Sequence, residues 1–259
     1  SHADAPAMIT VEGLGKRFGT VQVLEGIDAE FRKGMVNQII GRSGSGKSVL
    51  AKCMVGLHKP EEGRVLYEGR SFHDMESEEK RMIRQRIGML FQGSALFDSL
   101  TVIENVMFPL RMFGQMARSE MQDRAHSCLK RVSIIDKDAL YPAELSGGMQ
   151  KRVGIARAIA MEPQYLFCDE PNSGLDPQTS IVIDELIKDI TEEAGITTVV
   201  ITHDMNSVME TGEHILFIHK GRKWWEGSRE ELLHSENKEL NEFVFAGSLM
   251  RHVKKAMGA

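Results

Sequence analysis

Residues 41–48 read GRSGSGKS, and the setting of that octet decides the fold. It fits the pattern G-x-x-x-x-G-K-[ST], which taken alone is a flexible glycine-serine turn. Its flanks give it meaning: MVNQII at 35–40 is an apolar, strand-like run, and SVLAKCMVGL at 48–57 has helical spacing. Between a strand and a helix, glycines let the backbone wrap a phosphate, and the loop amides and helix N-terminus face its charge. Lys47 then reaches the β and γ phosphates of a nucleotide, and Ser48 is suited to Mg²⁺. The expected contacts are Gly41, Arg42, Ser43, Gly44, Ser45, Gly46, Lys47, Ser48 and Val49.

Outward from the loop, the rest of the chain reads as one elaborated α/β unit. Two short strands are expected before it, in MITVEGLGKRFG (8–19) and VQVLEGIDAEFRKG (21–34). Beyond it come a charged helix over 76–86 and a strand in RIGMLFQ. A helical insert over 100–133 follows, broken at Pro109 and Gly114. A helix over 149–161, ended by Pro163, then leads to the strand QYLFCDE. Another helix over 179–193 passes through Gly195 to ITTVVITHD, whose β-branched run suits a parallel sheet buried on both faces. HILFIHKGRKWWEG reads as a hairpin around Lys220 and Gly221, with Trp224 and Trp225 packed in it, and residues 229–257 as a helical tail.

Composition narrows the function classes. Across 259 residues, 32 Lys and Arg stand against 37 Asp and Glu, a net charge of −5 that lacks the basic footprint of a nucleic-acid binder. No apolar run approaches the roughly 18 residues that cross a bilayer, so a membrane role requires a partner. Cys53, Cys128 and Cys168 form no C-x-x-C pair and read as reduced structural thiols. SHADAPA (1–7) has neither a charged n-region nor an apolar h-region, and is expected to be an added remnant outside the fold.

A phosphate loop is compatible with kinases, GTPases and ATPases. The chain has no [NT]-K-x-D guanine-reading motif, which argues against a GTPase. YLFCDE supplies an apolar strand ending in two acids: Asp169 is suited to the Mg²⁺ shell and Glu170 to activating the attacking water. LSGGM (145–149) presents a serine and two glycines at a helix start. One loop already wraps the phosphates, so this second surface suits the far side of a γ-phosphate, most simply one held by another subunit.

These motifs, in this order, resemble the nucleotide-binding subunit of ATP-binding cassette (ABC) transporters over residues 9–233. LSGGM is close to the family signature LSGGQ, with Met149 in place of glutamine; Ser146, Gly147 and Gly148 are kept. The resemblance implies roles for further residues. Phe18 is placed to stack on adenine, Gln92 in the Q-loop to bind nucleotide and metal, Asp176 in the D-loop SGLD, and His203 as the switch histidine at the γ-phosphate. Catalysis then falls to Glu170, His203 and Lys47, and the metal to Ser48, Gln92 and Asp169.

The implied fold is an α/β P-loop ABC ATPase core with a small antiparallel β portion, a helical subdomain at about 93–155 and an extension over 234–259. The implied assembly is a homodimer holding ATP and Mg²⁺, each ATP between the phosphate loop of one copy and LSGGM of the other. It sits with integral membrane permease subunits on the cytoplasmic face of the inner membrane, and no nucleic acid is involved. FQGSALFDSLTVIENVMFPLR (91–111), with the Met form of the signature, further resembles the ATPase of Mla/Mce-type phospholipid transport systems, which would add accessory subunits. The alternatives are the ATPase of another ABC importer, for amino acids or ions, and a soluble ABC ATPase outside transport. Members of the latter class usually carry two cassettes in one chain or long coiled-coil or basic insertions, and this sequence shows neither.

Overall fold

A computed structural model describes residues 4–91 and 96–258, with the side chains of Ser248 and Leu249 excepted. The chain divides into two compact units, Ser1–Asp74 with Ile201–Ala259, and Met75–Val200.

In the first unit, β1 (Ala7–Phe18) and β2 (Val21–Arg32) form a long antiparallel pair. β1 also pairs antiparallel with β4 (Glu62–Tyr67), and β4 with the short β5 (Arg70–Ser71). Sheet structure begins inside the N-terminal segment set aside in the sequence. The Lys33 amide donates to the Pro6 carbonyl at 3.1 Å, and the Arg32 guanidinium to the Ala5 carbonyl at 2.6 Å. β4 and β5 had no expectation attached to them. Only the tyrosine end of EGRVLY is buried, so its pattern is too short to stand out.

The second sheet segment of this unit holds β3 (Val36–Ile40), parallel to β9 (His214–His219), with β10 (Arg222–Gly227) antiparallel to β9. The β9–β10 turn at Lys220 and Gly221, both with positive φ (49° and 75°), is the expected hairpin. All five residues of β3 are buried, including two amides. Asn37 donates to the Arg32 and Met35 carbonyls, each at 3.3 Å, and Gln38 to Thr211 Oγ1 at 3.2 Å. Asn37 is satisfied in this way, whereas Gln38 Oε1 is buried with no hydrogen-bond partner among the described residues.

From β3 the chain enters α1 (Lys47–Met54) through the glycine loop. At the far end, α7 (Met205–Thr211), α8 (Arg229–Leu233), α9 (Lys238–Val244) and α10 (Ser248–Ala256) close one face of this unit. Leu232, Leu240, Val244, Phe245 and Met250 share a buried cluster with Ile40, Val208, Ile215 and Phe217. The tail is therefore part of this unit's core.

In the second unit, β6 (Ile87–Leu90) runs parallel to β7 (Tyr165–Asp169), with Ile87 opposite Tyr165 and Leu90 opposite Cys168. β7 also neighbours β8 (Thr197–Thr202), whose last two residues pass into the first unit. α2 (Ser77–Gln85) precedes β6, and α6 (Pro177–Ala194) leads to β8. The helical subdomain contains α3 (Val102–Phe113), α4 (Arg118–Arg131) and α5 (Gly147–Ile159).

Of the two breaks expected in the insert, Gly114 ends α3, but Pro109 lies inside it. A proline in a helix interior costs about 3 kcal/mol. Burial of Val102, Val106 and Leu110 on the same helix offsets that cost, together with a Thr101–Glu104 capping box. Helix α5 starts two residues before the expected Met149, so both signature glycines lie in its first turn.

Candidate functional site

The phosphate loop is held by its immediate neighbours. Gly46 has φ 108°, a backbone that side chains rarely adopt, and a Cβ there would lie 2.6 Å from Leu24 Cδ2. A Cβ on Gly41 would collide with the Ile218 carbonyl. These two positions pack the loop between β2 and β9, whereas Arg42, Ser43 and Gly44 are exposed. Lys47 is buried and its ammonium donates to the Gly41 carbonyl at 2.5 Å, folding the side chain back across the loop. Among the described residues no side chain caps the α1 N-terminus, which follows directly on the loop. The Ser45 hydroxyl is buried and has no hydrogen-bond partner among the described residues. A lone buried donor at the start of a helix is the arrangement a phosphate completes. Ser48 and Val49 are half-buried behind it.

Phe18, expected at the base, ends β1 with its ring 43% exposed. It meets His58 edge-on at 5.3 Å between ring centres, and the Lys16 ammonium sits 4.9 Å from its centre. His203 is exposed just beyond β8, and Asp204 after it caps α7 by accepting from the Asn206 amide at 2.9 Å.

In the second unit, β7 ends in the acid pair. Asp169 and Glu170 are 4% and 8% exposed, and Glu170 has a positive φ of 48°, uncommon for a residue with a side chain. Lys151 of α5, also buried, was not singled out in the sequence. Burial pulls its ammonium below the usual lysine range, against the opposing charges of Asp169 and Glu170. A buried cation on the signature helix thus faces the strand end that carries the acids.

Ser146 caps α5, accepting from the Met149 amide at 3.2 Å. The two glycines differ in what confines them. A Cβ on Gly148 would lie 2.5 Å from Thr179 Cγ2, so packing within the chain demands that glycine. A Cβ on Gly147 would meet only Leu175 Cδ2 at 3.4 Å, an ordinary contact, and its φ is not positive. Asp176 caps α6, accepting from the Thr179 amide at 3.0 Å and its hydroxyl at 2.6 Å, bonds that hold its carboxyl below the usual range. Gln92 lies outside the described residues.

Phe97 is 42% exposed, with Phe108 at 4.6 Å between ring centres and the Arg157 guanidinium 5.7 Å from its ring. Asn105, fully buried, fixes this loop by accepting from the Phe97 amide at 2.8 Å and donating to the Leu100 carbonyl at 3.1 Å. Among the described residues no cluster of three or more His, Cys, Asp or Glu side chains could hold a metal, and no helix is long and apolar enough to cross a membrane.

Residues 24–173 match the family model described as ABC transporter. The chain is 42% identical over 225 residues to the methionine import ATP-binding protein MetN of Rhizobium johnstonii, a match that covers 87% of the chain and 62% of that relative's length. It is 36% identical over 236 residues to a Mycobacterium leprae protein named "Probable ribonucleotide transport ATP-binding protein mkl", covering 91% of the chain and 68% of the relative. Among solved structures, a dimeric post-hydrolysis state of the ATP-binding cassette MJ0796, bound to ADP and Pi, is similar at a TM-score of 0.78. It is 34% identical, with 85% of this chain and 98% of that one covered.

Proposed function

The chain belongs to the ABC transporter family as an ATP-binding subunit, and from that premise we propose that it binds and hydrolyses ATP in a head-to-tail homodimer that drives a membrane permease. Gly147 carries the dimer reading. Nothing among the described residues excludes a side chain there, yet the position is glycine, exposed, in the first turn of a helix whose capping serine is already used. A ligand approaching from outside the chain supplies the missing reason, and the dimeric cassette bound to ADP and Pi is a relative in which two copies assemble.

The residues divide the work. The loop amides, Ser45 and Lys47 hold the phosphates, and Phe18 stacks on the base. Glu170 takes the proton from the attacking water, and His203 faces the γ-phosphate. Ser48, Asp169 and Gln92 would hold Mg²⁺, which when bound neutralises phosphate charge. Ser48 is half-buried where α1 begins and Asp169 is buried at the end of β7, a hydroxyl and a carboxylate of the hard-oxygen type that Mg²⁺ takes.

For cargo, the relatives favour an importer of amino acids, since the first of them is named for methionine import. The phospholipid reading is second and rests on residues 91–111 together with Met149. A relative named for ribonucleotide transport, at 36% identity, indicates that cassette sequence follows cargo only loosely. Purifying the chain with its native membrane partners and assaying ATP-dependent movement of labelled methionine and labelled phospholipid in proteoliposomes decides between them. Amino-acid uptake that stops with Glu170→Gln is the expected result. Lipid movement without amino-acid uptake would establish the second reading, and transport indifferent to ATP would overturn both.

A further inference from the structure

The strongest group of charged side chains outside the phosphate loop lies behind the Phe18 ring. Lys16 is two residues before Phe18 on β1, so strand alternation sends both side chains to one face. It is a lysine with 9% exposure, a position where a long charged side chain is seldom found without partners, and it has them. Its ammonium donates to Glu61 Oε1 at 2.8 Å and to the Lys59 carbonyl at 3.0 Å while lying over the Phe18 ring, 4.9 Å from its centre.

Glu61 binds twice. Its other oxygen accepts from the Arg17 amide at 2.7 Å, so one carboxylate ties down both the ammonium and the backbone linking Lys16 to Phe18. These bonds bring the Glu61 carboxyl down to about 2, which keeps it ionised through the neutral range. The register of β1 shifts against β2 between Lys16 and Arg17, with the extra residue on β2, so the alternation of β1 from Lys16 to Phe18 is kept. Lys16 is paired across the sheet with Leu24, the residue that packs on Gly46 of the phosphate loop. The cluster therefore adjoins the loop through a single side chain.

We propose that Lys16 is a positioning residue for nucleotide recognition: its ammonium, fixed by Glu61 and the Lys59 carbonyl, holds the Phe18 ring in place for a purine to stack on. An exposed ring fixed before the ligand arrives spares the ordering cost of binding, and a cation over one face adds its own attraction to the ring. This rests on the reading of Phe18 as the base platform, and it assigns Lys16 to the base and not to the phosphates. A purely structural ion pair between β1 and the start of β4 would instead affect every ligand alike.

Tripolyphosphate separates the two, because it has the phosphates of ATP and no base. The dissociation constants of ATP and of tripolyphosphate, both with Mg²⁺, are measured by titration calorimetry on the full chain, for wild type, Lys16→Met, Phe18→Ala and the double variant. Lys16→Met is expected to weaken ATP by about 3- to 10-fold while tripolyphosphate stays within about 2-fold. The double variant is expected to be no weaker than Phe18→Ala, because the two side chains act as one unit. Glu61→Gln, which removes the charge and keeps the shape, is expected to give the same pattern in smaller measure and serves if Lys16→Met does not fold. Equal weakening of both ligands, or of neither, overturns the proposal. If Phe18→Ala leaves the ratio of the two constants unchanged, the platform reading itself fails and takes the proposal with it.

Discussion

Burial sets the chemistry of the three thiols. Cys53, Cys128 and Cys168 are all buried and free, and burial pushes their pKa values up to about 11, 11 and 12. A thiol raised that far is almost entirely protonated at neutral pH, and the thiolate is the reactive form. The native protein is therefore expected to resist a thiol reagent at pH 7.5 and to react at all three positions once unfolded in guanidinium. Labelling of the native chain at the rate of a free thiol would contradict this. The sequence indicated the same inertness, because the cysteines have no pairing motif. Other single residues were not legible. Lys151 and Lys16 look like two of many surface lysines until the fold buries them, since a one-residue label carries no information about which neighbours remove water from it.

At the scale of elements, the first turn of α5 is where sequence and geometry separate most usefully. LSGGM announces a helix start, and Ser146 behaves as an N-cap. The two glycines look equivalent in sequence, yet only Gly148 is required by packing inside the chain, against Thr179. Replacing Gly147 with Val is thus expected to leave the fold intact, with a stability loss within about 1 kcal/mol from helix propensity and contact with Leu175. ATP binding to the isolated subunit should be unchanged, while hydrolysis by the assembled complex falls by at least about 10-fold. Melting temperature, nucleotide titration and steady-state hydrolysis check the three parts. Normal hydrolysis in the folded variant would remove the reason for a ligand at Gly147.

Elements with strong periodicity or a punctuating turn were readable, such as β3, the Lys220–Gly221 hairpin and α6 with its Gly195 stop. Those decided by tertiary context were not. Pro109 reads as a breaker, but an apolar face packed on the subdomain keeps α3 continuous through it. α7, only seven residues long, shows too few turns for a pattern to emerge.

At the scale of the molecule, the phosphate loop is not supported by the core strands alone. Ile40, the residue before Gly41, shares its buried cluster with Leu240, Val244 and Phe245 of the tail and with Val208 of α7, the helix that follows His203. The boundary at 233/234 marks where the family resemblance ends, whereas the hydrophobic core runs through it. The fold class was legible because seven motifs occur in family order, and those among the described residues lie at a strand end or a helix start. Cargo was not, because the residues that carry the family resemblance are the ones assigned to ATP and none of them is assigned to cargo.

In the proposed mechanism two copies close around ATP and Glu170 activates the water. Glu170→Gln removes the base and keeps the shape, so it is expected to bind ATP, lose hydrolysis by about 100-fold or more, and accumulate as a dimer only when ATP is present. Light scattering of the purified variant, with and without Mg²⁺ and ATP, measures this most directly. A mass that doubles with ATP and returns on its removal is the predicted result. A variant that stays monomeric with ATP bound, or hydrolyses it at the wild-type rate, would contradict the account.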